Sequence, residues 1–147
     1  MKVQQTIALR CYPPGMRLSV LATYFEAQTR VNVAYLLAFP KTPPLYKSGV
    51  RYRREGTPEQ WKDIPTILRD GFDDCEGLAC WLAAELRVKR RIEAARVHLV
   101  SQASEGGDAG AVIHAVVVDG ANLRRRWDPS KVLGMRPQPR RRKTTAA

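Results

Sequence analysis

Histidine and cysteine are scarce in this chain. There are two histidines, His98 and His114, and three cysteines, Cys11, Cys75 and Cys80. No paired-histidine or Cys-x-x-Cys spacing occurs, so the common zinc-site patterns are missing. An odd number of cysteines at these spacings is no disulfide framework. Cys75 and Cys80 stand five apart in a predicted helix and so point in different directions. Free thiols fit a reducing compartment. Long apolar runs are lacking too: no stretch of 18 apolar residues could span a bilayer. The N-terminus shows no apolar segment followed by a small-residue cleavage site, so no signal peptide is expected.

Acidic residues are in the minority. Fourteen Asp and Glu face 25 Lys and Arg, for a net charge of +11. The excess gathers at Lys89-Arg90-Arg91, at Arg124-Arg125-Arg126 and at Arg140-Arg141-Arg142-Lys143. Such clusters permit a nucleic-acid or acidic-surface partner. A solvated surface and a disordered tail describe them more simply, since no aromatic residues are interleaved with them and no known nucleic-acid motif accompanies them.

What is present suits one globular domain. The 147 residues are 44% hydrophobic and 27% charged, enough to bury a core without staples. Residues 1–136 are read as the domain and 137–147 as a basic, disordered tail. After Pro13-Pro14-Gly15, apolar residues at helical spacing predict a helix from about Leu18 to Ala38, ended by Pro40, Pro43 and Pro44. Leu45 to Arg54 is a connection with extended character. Thr57 and Pro58 suit a helix start, with a short helix including Trp61, limited by Pro65, and a further turn over Thr66 to Arg69. Gly71 to Asp74 is a turn. Leu78, Ala79, Leu82 and Leu86 continue one face of a helix that Cys75 opens and that runs to about Lys89. Strands follow: Arg96 to Ser101, then a Gly-rich stretch over Ser104 to Gly110, then Ala111 to Val118, apolar on both faces as in a central strand. Asp119-Gly120 is a hairpin signal, and Leu123 to Trp127 returns, ended by Asp128-Pro129. Helices first and an antiparallel sheet after them make an α+β fold.

Three residues stand out chemically. Cys75 lies at a helix N-terminus, where backbone N–H groups and the helix dipole favour a thiolate. His114 interrupts an apolar strand, where a polar group must be paired or useful. Asp128 follows the next strand across a hairpin. Cysteine nucleophile, imidazole base and orienting carboxylate are the parts of acyl-transfer catalysis. Singly, each has a plain structural explanation: a buried thiol, a satisfied core histidine, a turn former. Together, in this order, they favour a site. An alternative is a metal held by Asp73, Asp74, Glu76 and His114. His98 alternates with Val97 and Leu99 and is read as structural or surface. No cofactor is expected.

The stretch Gly71-Phe72-Asp73-Asp74-Cys75-Glu76-Gly77-Leu78-Ala79 resembles the Gly-x-Gly-Asp-Cys-Glu-x-x-Ala signature of the transglutaminase-like superfamily. Ala83-Ala84-Glu85-Leu86-Arg87 resembles its helix continuation, Ile113-His114-Ala115-Val116 its histidine strand, and Trp127-Asp128-Pro129-Ser130 its Asp-Pro-Ser/Thr end. Pro44-Leu45-Tyr46 to Arg54, Trp61 to Pro65 and Asp128 to Met135 are similar to a small phage-encoded branch. The resemblance covers Pro43 to Met135. It implies a papain-like fold and a Cys75-His114-Asp128 triad acting on a peptide or glutamine carboxamide through a thioester. Protease, amidase or transglutaminase activity follows from the acyl acceptor. It implies a protein or peptide substrate, possible phage structural partners, and a place in the host cytoplasm or the virion. The Cys75 backbone N–H would be one oxyanion donor, with Gln60 and Trp61 as candidates for the second. The other reading is an inactive phage assembly protein that keeps the fold and binds an acidic surface or nucleic acid. Two positions depart from the pattern. Asp73 stands where the superfamily often has glycine, and could raise the thiol pKa by repulsion. Gly77 stands where the phage branch often has aspartate.

Overall fold

Leu21, Phe25, Thr29, Asn32 and Leu36 recur every three or four residues and form the buried face of the first helix, α1, Pro14–Ala38. The computed structural model describes residues 6–56, 59–102 and 112–136, apart from the side chains of residues 101, 102 and 112. Thr57, Pro58, the Ser104 to Gly110 stretch, Ala111 and the basic tail from residue 137 onward lie outside the described residues. Helix α1 starts at Pro14, four residues before the expected Leu18. Pro14 begins the helix rather than preceding it, because a proline ring presets the helical φ where no N–H is required. Leu18, expected on the packing face, is 51% exposed.

A 3-10 turn, Leu45–Lys47, leads to the short strand β1, Arg51–Tyr52. Helix α2 is Ile64–Asp70. Here the expectation is corrected, because Trp61 precedes the helix and Pro65 sits in its first turn instead of limiting it. Asp63 supplies the cap, its Oδ1 accepting from Thr66 N at 3.1 Å. Gly71, at φ 78°, ends α2 in the left-handed region that glycine adopts freely. The chain then enters β2, Phe72–Asp73, which pairs in parallel with β1, Tyr52 opposite Asp73.

Helix α3, Cys75–Arg90, is the centre of the molecule. Gly77 to Ala84 are all buried, on every side of the helix. A helix apolar all round must be covered all round. The sheet packs on α3 at one side and α1 at another, and α1 also reaches β3. Arg87 fastens this arrangement: its guanidinium grips Glu26 of α1 at 2.7 and 3.0 Å and donates from Nε to Ala95 O at 2.7 Å. Lys89 and Arg90 lie in the last turn, where cations suit the dipole, and Lys89 also donates to Thr42 O at 2.8 Å.

Strands β3 (Ala95–Gln102), β4 (Val112–Asp119) and β5 (Asn122–Trp127) form an antiparallel sheet in that order. Ala115 and Val117 join the main core, and Val116 and Val118 are buried as well, as a central strand requires. The last helix, α4, is Pro129–Val132. The architecture is the expected α+β layout. Among the described residues no helix is long and apolar enough to cross a membrane.

Candidate functional site

Two backbone devices set Cys75 at the head of α3. Asp74 has extended backbone and is the N-cap, its Oδ1 accepting from Glu76 N at 3.3 Å. The β1–β2 pairing fixes the approach to it. Cys75 is 9% exposed.

Asp128 is placed by the turn after β5. It caps α4, and its Oδ1 accepts from Lys131 N at 3.3 Å. The other oxygen, Oδ2, lies 3.0 Å from His114 Nε2. Burial works against the charge of Asp128, but the hydrogen bond from His114 and the nearby cations outweigh it and hold the carboxyl below its ordinary range. An ionised carboxylate only accepts, so His114 Nε2 carries the proton and donates it. That tautomer leaves the Nδ1 lone pair as the basic site.

Cys75 meets this pair along β4. The last β4–β5 pair toward this end is Val117 with Trp127. Two residues further along β4, the Ala115 backbone N–H lies close enough to the Cys75 sulfur to favour its charged form. The nucleophile candidate therefore adjoins the residue next to His114. The sequence-predicted Cys75, His114 and Asp128 are brought to one end of β4.

The thiol is not a thiolate in this arrangement. Burial pushes the Cys75 pKa up first, and the Glu76 charge adds to it. Cys75 Sγ also donates to Glu76 Oε2 at 3.0 Å, which favours the protonated form. The helix-terminus argument for a lowered pKa is overruled here by burial and the neighbouring glutamate. The sequence reading named Asp73 as the residue that could disturb the thiol. Glu76, which follows Cys75 directly, is the one that touches it.

Asp73 faces elsewhere. It is fully buried, and a Cβ at position 77 would overlap its carboxylate. The two departures from the signature are thus one packing arrangement: Asp73 fills the space that a side chain at Gly77 would take. Neither Asp73 oxygen has a hydrogen-bond partner among the described residues. Lys62 Nζ lies 3.8 Å away and also pairs with Glu55 and Asp70. Burial raises the Asp73 pKa to about 7.

The two oxyanion candidates are separated. Trp61 packs on Tyr24 and Phe25, both with ring centroids at 5.4 Å, and its indole N–H is buried without a partner among the described residues. Gln60 is exposed and lines a cleft of about 410 Å³ with Arg53, Arg54, Lys62 and Phe72. Tyr52, which sequence reasoning passed over inside an Arg-rich connection, packs half-buried on the core cluster that contains Cys75. Burial raises its phenol pKa first, and its placement by Cys75, Asp74 and Glu76 acts in the same direction.

The four candidate metal ligands do not converge: Asp73 lies against Gly77 and His114 against Asp128. Among the described residues no three His, Cys, Asp or Glu side chains form a metal-holding group. His98 is exposed, while Val97 and Leu99 pack on the core. Arg124, Arg125 and Arg126 lie exposed on the edge strand β5, with Arg125 over the Trp127 ring at 5.5 Å.

Comparison of the chain with protein-family models, with curated proteins and with solved structures found no match.

Proposed function

We propose that this chain is a cysteine-nucleophile acyl-transfer protein of papain-like, transglutaminase-like type, acting on a peptide or glutamine carboxamide and encoded by a phage. What carries the reading is the His114 Nε2 to Asp128 Oδ2 contact at 3.0 Å, on the strand whose Ala115 N–H meets the Cys75 sulfur. A buried histidine oriented by a carboxylate beside a thiol is the arrangement that nucleophilic catalysis requires.

Burial and Glu76 keep Cys75 protonated at rest. His114 therefore acts as a general base during attack, not as the partner of a preformed thiolate. The thiol proton moves to His114 Nδ1 as sulfur bonds to the carbonyl carbon. The carbonyl π electrons become an oxyanion. Collapse breaks the C–N bond, and His114 returns the proton to the leaving amine. Asp128 holds the imidazole and stabilises its cation. Water then releases the thioester as an acid, which is protease or amidase chemistry, and an amine releases it as a new amide.

Acylation of the intact chain by p-nitrophenyl acetate tests this reading. One acetyl group is expected on Cys75, located by peptide mass, and none there in Cys75→Ser. Labelling confined to Cys11, which is exposed, overturns it.

The exposed arginines of β5 favour a second reading, in which the domain docks on an acidic surface or nucleic acid as an assembly protein. The two roles are compatible in one molecule. Salt-dependent retention on a DNA column, lost on replacing Arg124, Arg125 and Arg126, is the expected sign of the second.

A further inference from the structure

We propose that Tyr52 is a catalytic residue of this site, its hydroxyl donating to the oxyanion that forms when Cys75 attacks a carbonyl. The inference rests on the acyl-transfer reading and adds the donor which that reading lacks.

Such an oxyanion needs more than one donor in a water-poor setting. The Cys75 backbone N–H is one, since the first N–H groups of a helix have no partner within it. Of the two other candidates, the Trp61 N–H is sealed in the packing against α1, and Gln60 is solvent-exposed. Tyr52 is differently placed. β1 holds it opposite Asp73, two residues before the nucleophile. Its backbone N–H donates to Leu133 O at 2.9 Å, which ties β1 to the end of α4, the helix that Asp128 caps. The residue is thereby fixed from both the cysteine side and the aspartate side of the site. Its ring packs on the cluster that includes Cys75, and its hydroxyl makes no hydrogen bond to another described residue. Burial and the acidic surroundings, with Asp74 and Glu76 beside the thiol, keep the phenol protonated. A protonated phenol is a donor, and it becomes a better one as negative charge grows on the facing oxygen.

The reaction step is balanced. The Cys75 proton passes to His114, the S–C bond forms, and the carbonyl π pair settles on oxygen. The Tyr52 O–H and Cys75 N–H hold that oxygen without giving up their protons. Collapse then expels p-nitrophenolate from the test ester.

Two reactions of the same sulfur separate this role from any other. Acylation by p-nitrophenyl acetate passes through an oxyanion. Alkylation by iodoacetamide displaces iodide and forms none. Tyr52→Phe in the full chain removes only the hydroxyl. It should slow acylation by a factor on the order of 10² and leave the alkylation rate of Cys75 unchanged. His114→Ala, run in parallel, should slow both reactions. Acylation of Tyr52→Phe at the wild-type rate overturns the inference. So does an equal fall in both reactions, because Tyr52 would then act on the sulfur or on the fold. Absence of Cys75 acylation in the wild-type chain, by contrast, overturns the acyl-transfer reading itself.

Discussion

Cys75 is subject to opposed influences, and its neighbours decide between them. The helix terminus favours a thiolate; burial and Glu76 favour the thiol, and they prevail. Glu76→Gln removes the charge and keeps an acceptor. It should raise the rate of Cys75 alkylation at pH 8 about tenfold, one pKa unit of thiol acidity, as measured by iodoacetamide kinetics. An unchanged rate would mean that burial alone sets the thiol. Asp73 supplies a second test, through stability. Its carboxyl ionises near 3.8 in an unfolded chain and near 7 in the folded one. Between those values the folded state holds a proton that the unfolded state has lost, so stability falls as pH rises from about 4 to about 7. Asp73→Asn lacks this penalty. It should be more stable than wild type at pH 8, by at most about 4 kcal/mol, with the advantage vanishing near pH 4. Urea midpoints across pH measure it. The candidate site was legible in the sequence as far as residue types: a thiol at a helix start, a histidine in an apolar strand, a carboxylate after a hairpin. Which carboxylate touches the thiol depends on side-chain direction within one helical turn, and sequence adjacency does not give that. The same holds for Asp73 and Gly77, which are four apart and touch only because one of them is a glycine.

The elements divide by how local their causes are. Helix α3 declared itself, because its apolar spacing and its cap are written in consecutive residues. Helix α2 did not. Pro65 reads equally as a stop or as a first-turn residue, and the cap that decides, Asp63, belongs to the second choice. Asn32 shows the same limit in a buried helix face. It falls on the apolar stripe of α1, and its role is to accept from Ile64 N at 3.1 Å, thirty-two residues away at the head of α2. Asn32→Ala leaves that buried N–H without a partner. It should cost about 2 kcal/mol, seen in urea unfolding, and it should slow Cys75 acylation little, since the bond it removes joins α1 to α2 and involves none of Cys75, His114 and Asp128. A loss below about 0.5 kcal/mol would show that Ile64 N finds another partner.

At the scale of the molecule, the arrangement is a buried helix set between a second helix and a three-stranded sheet, with both ends of one hairpin contributing to the site. The hairpin was readable from the Asp119-Gly120 signal, although the turn sits one residue later, at Gly120 and Ala121, with Asp119 closing β4 opposite Asn122. The docking of α3 on that sheet was not, since contacts so distant in sequence leave no periodic trace. That docking is what sets Cys75 beside β4, and the proposed acyl transfer depends on it. The most direct measurement is the rate of p-nitrophenyl acetate acylation of Cys75 in the full chain, in His114→Ala and in Asp128→Asn. Wild type should form one acyl-cysteine, His114→Ala should be slower by a factor between about 10² and 10⁴, and Asp128→Asn should fall between them. Equal rates in all three proteins would contradict the Cys75-His114-Asp128 site.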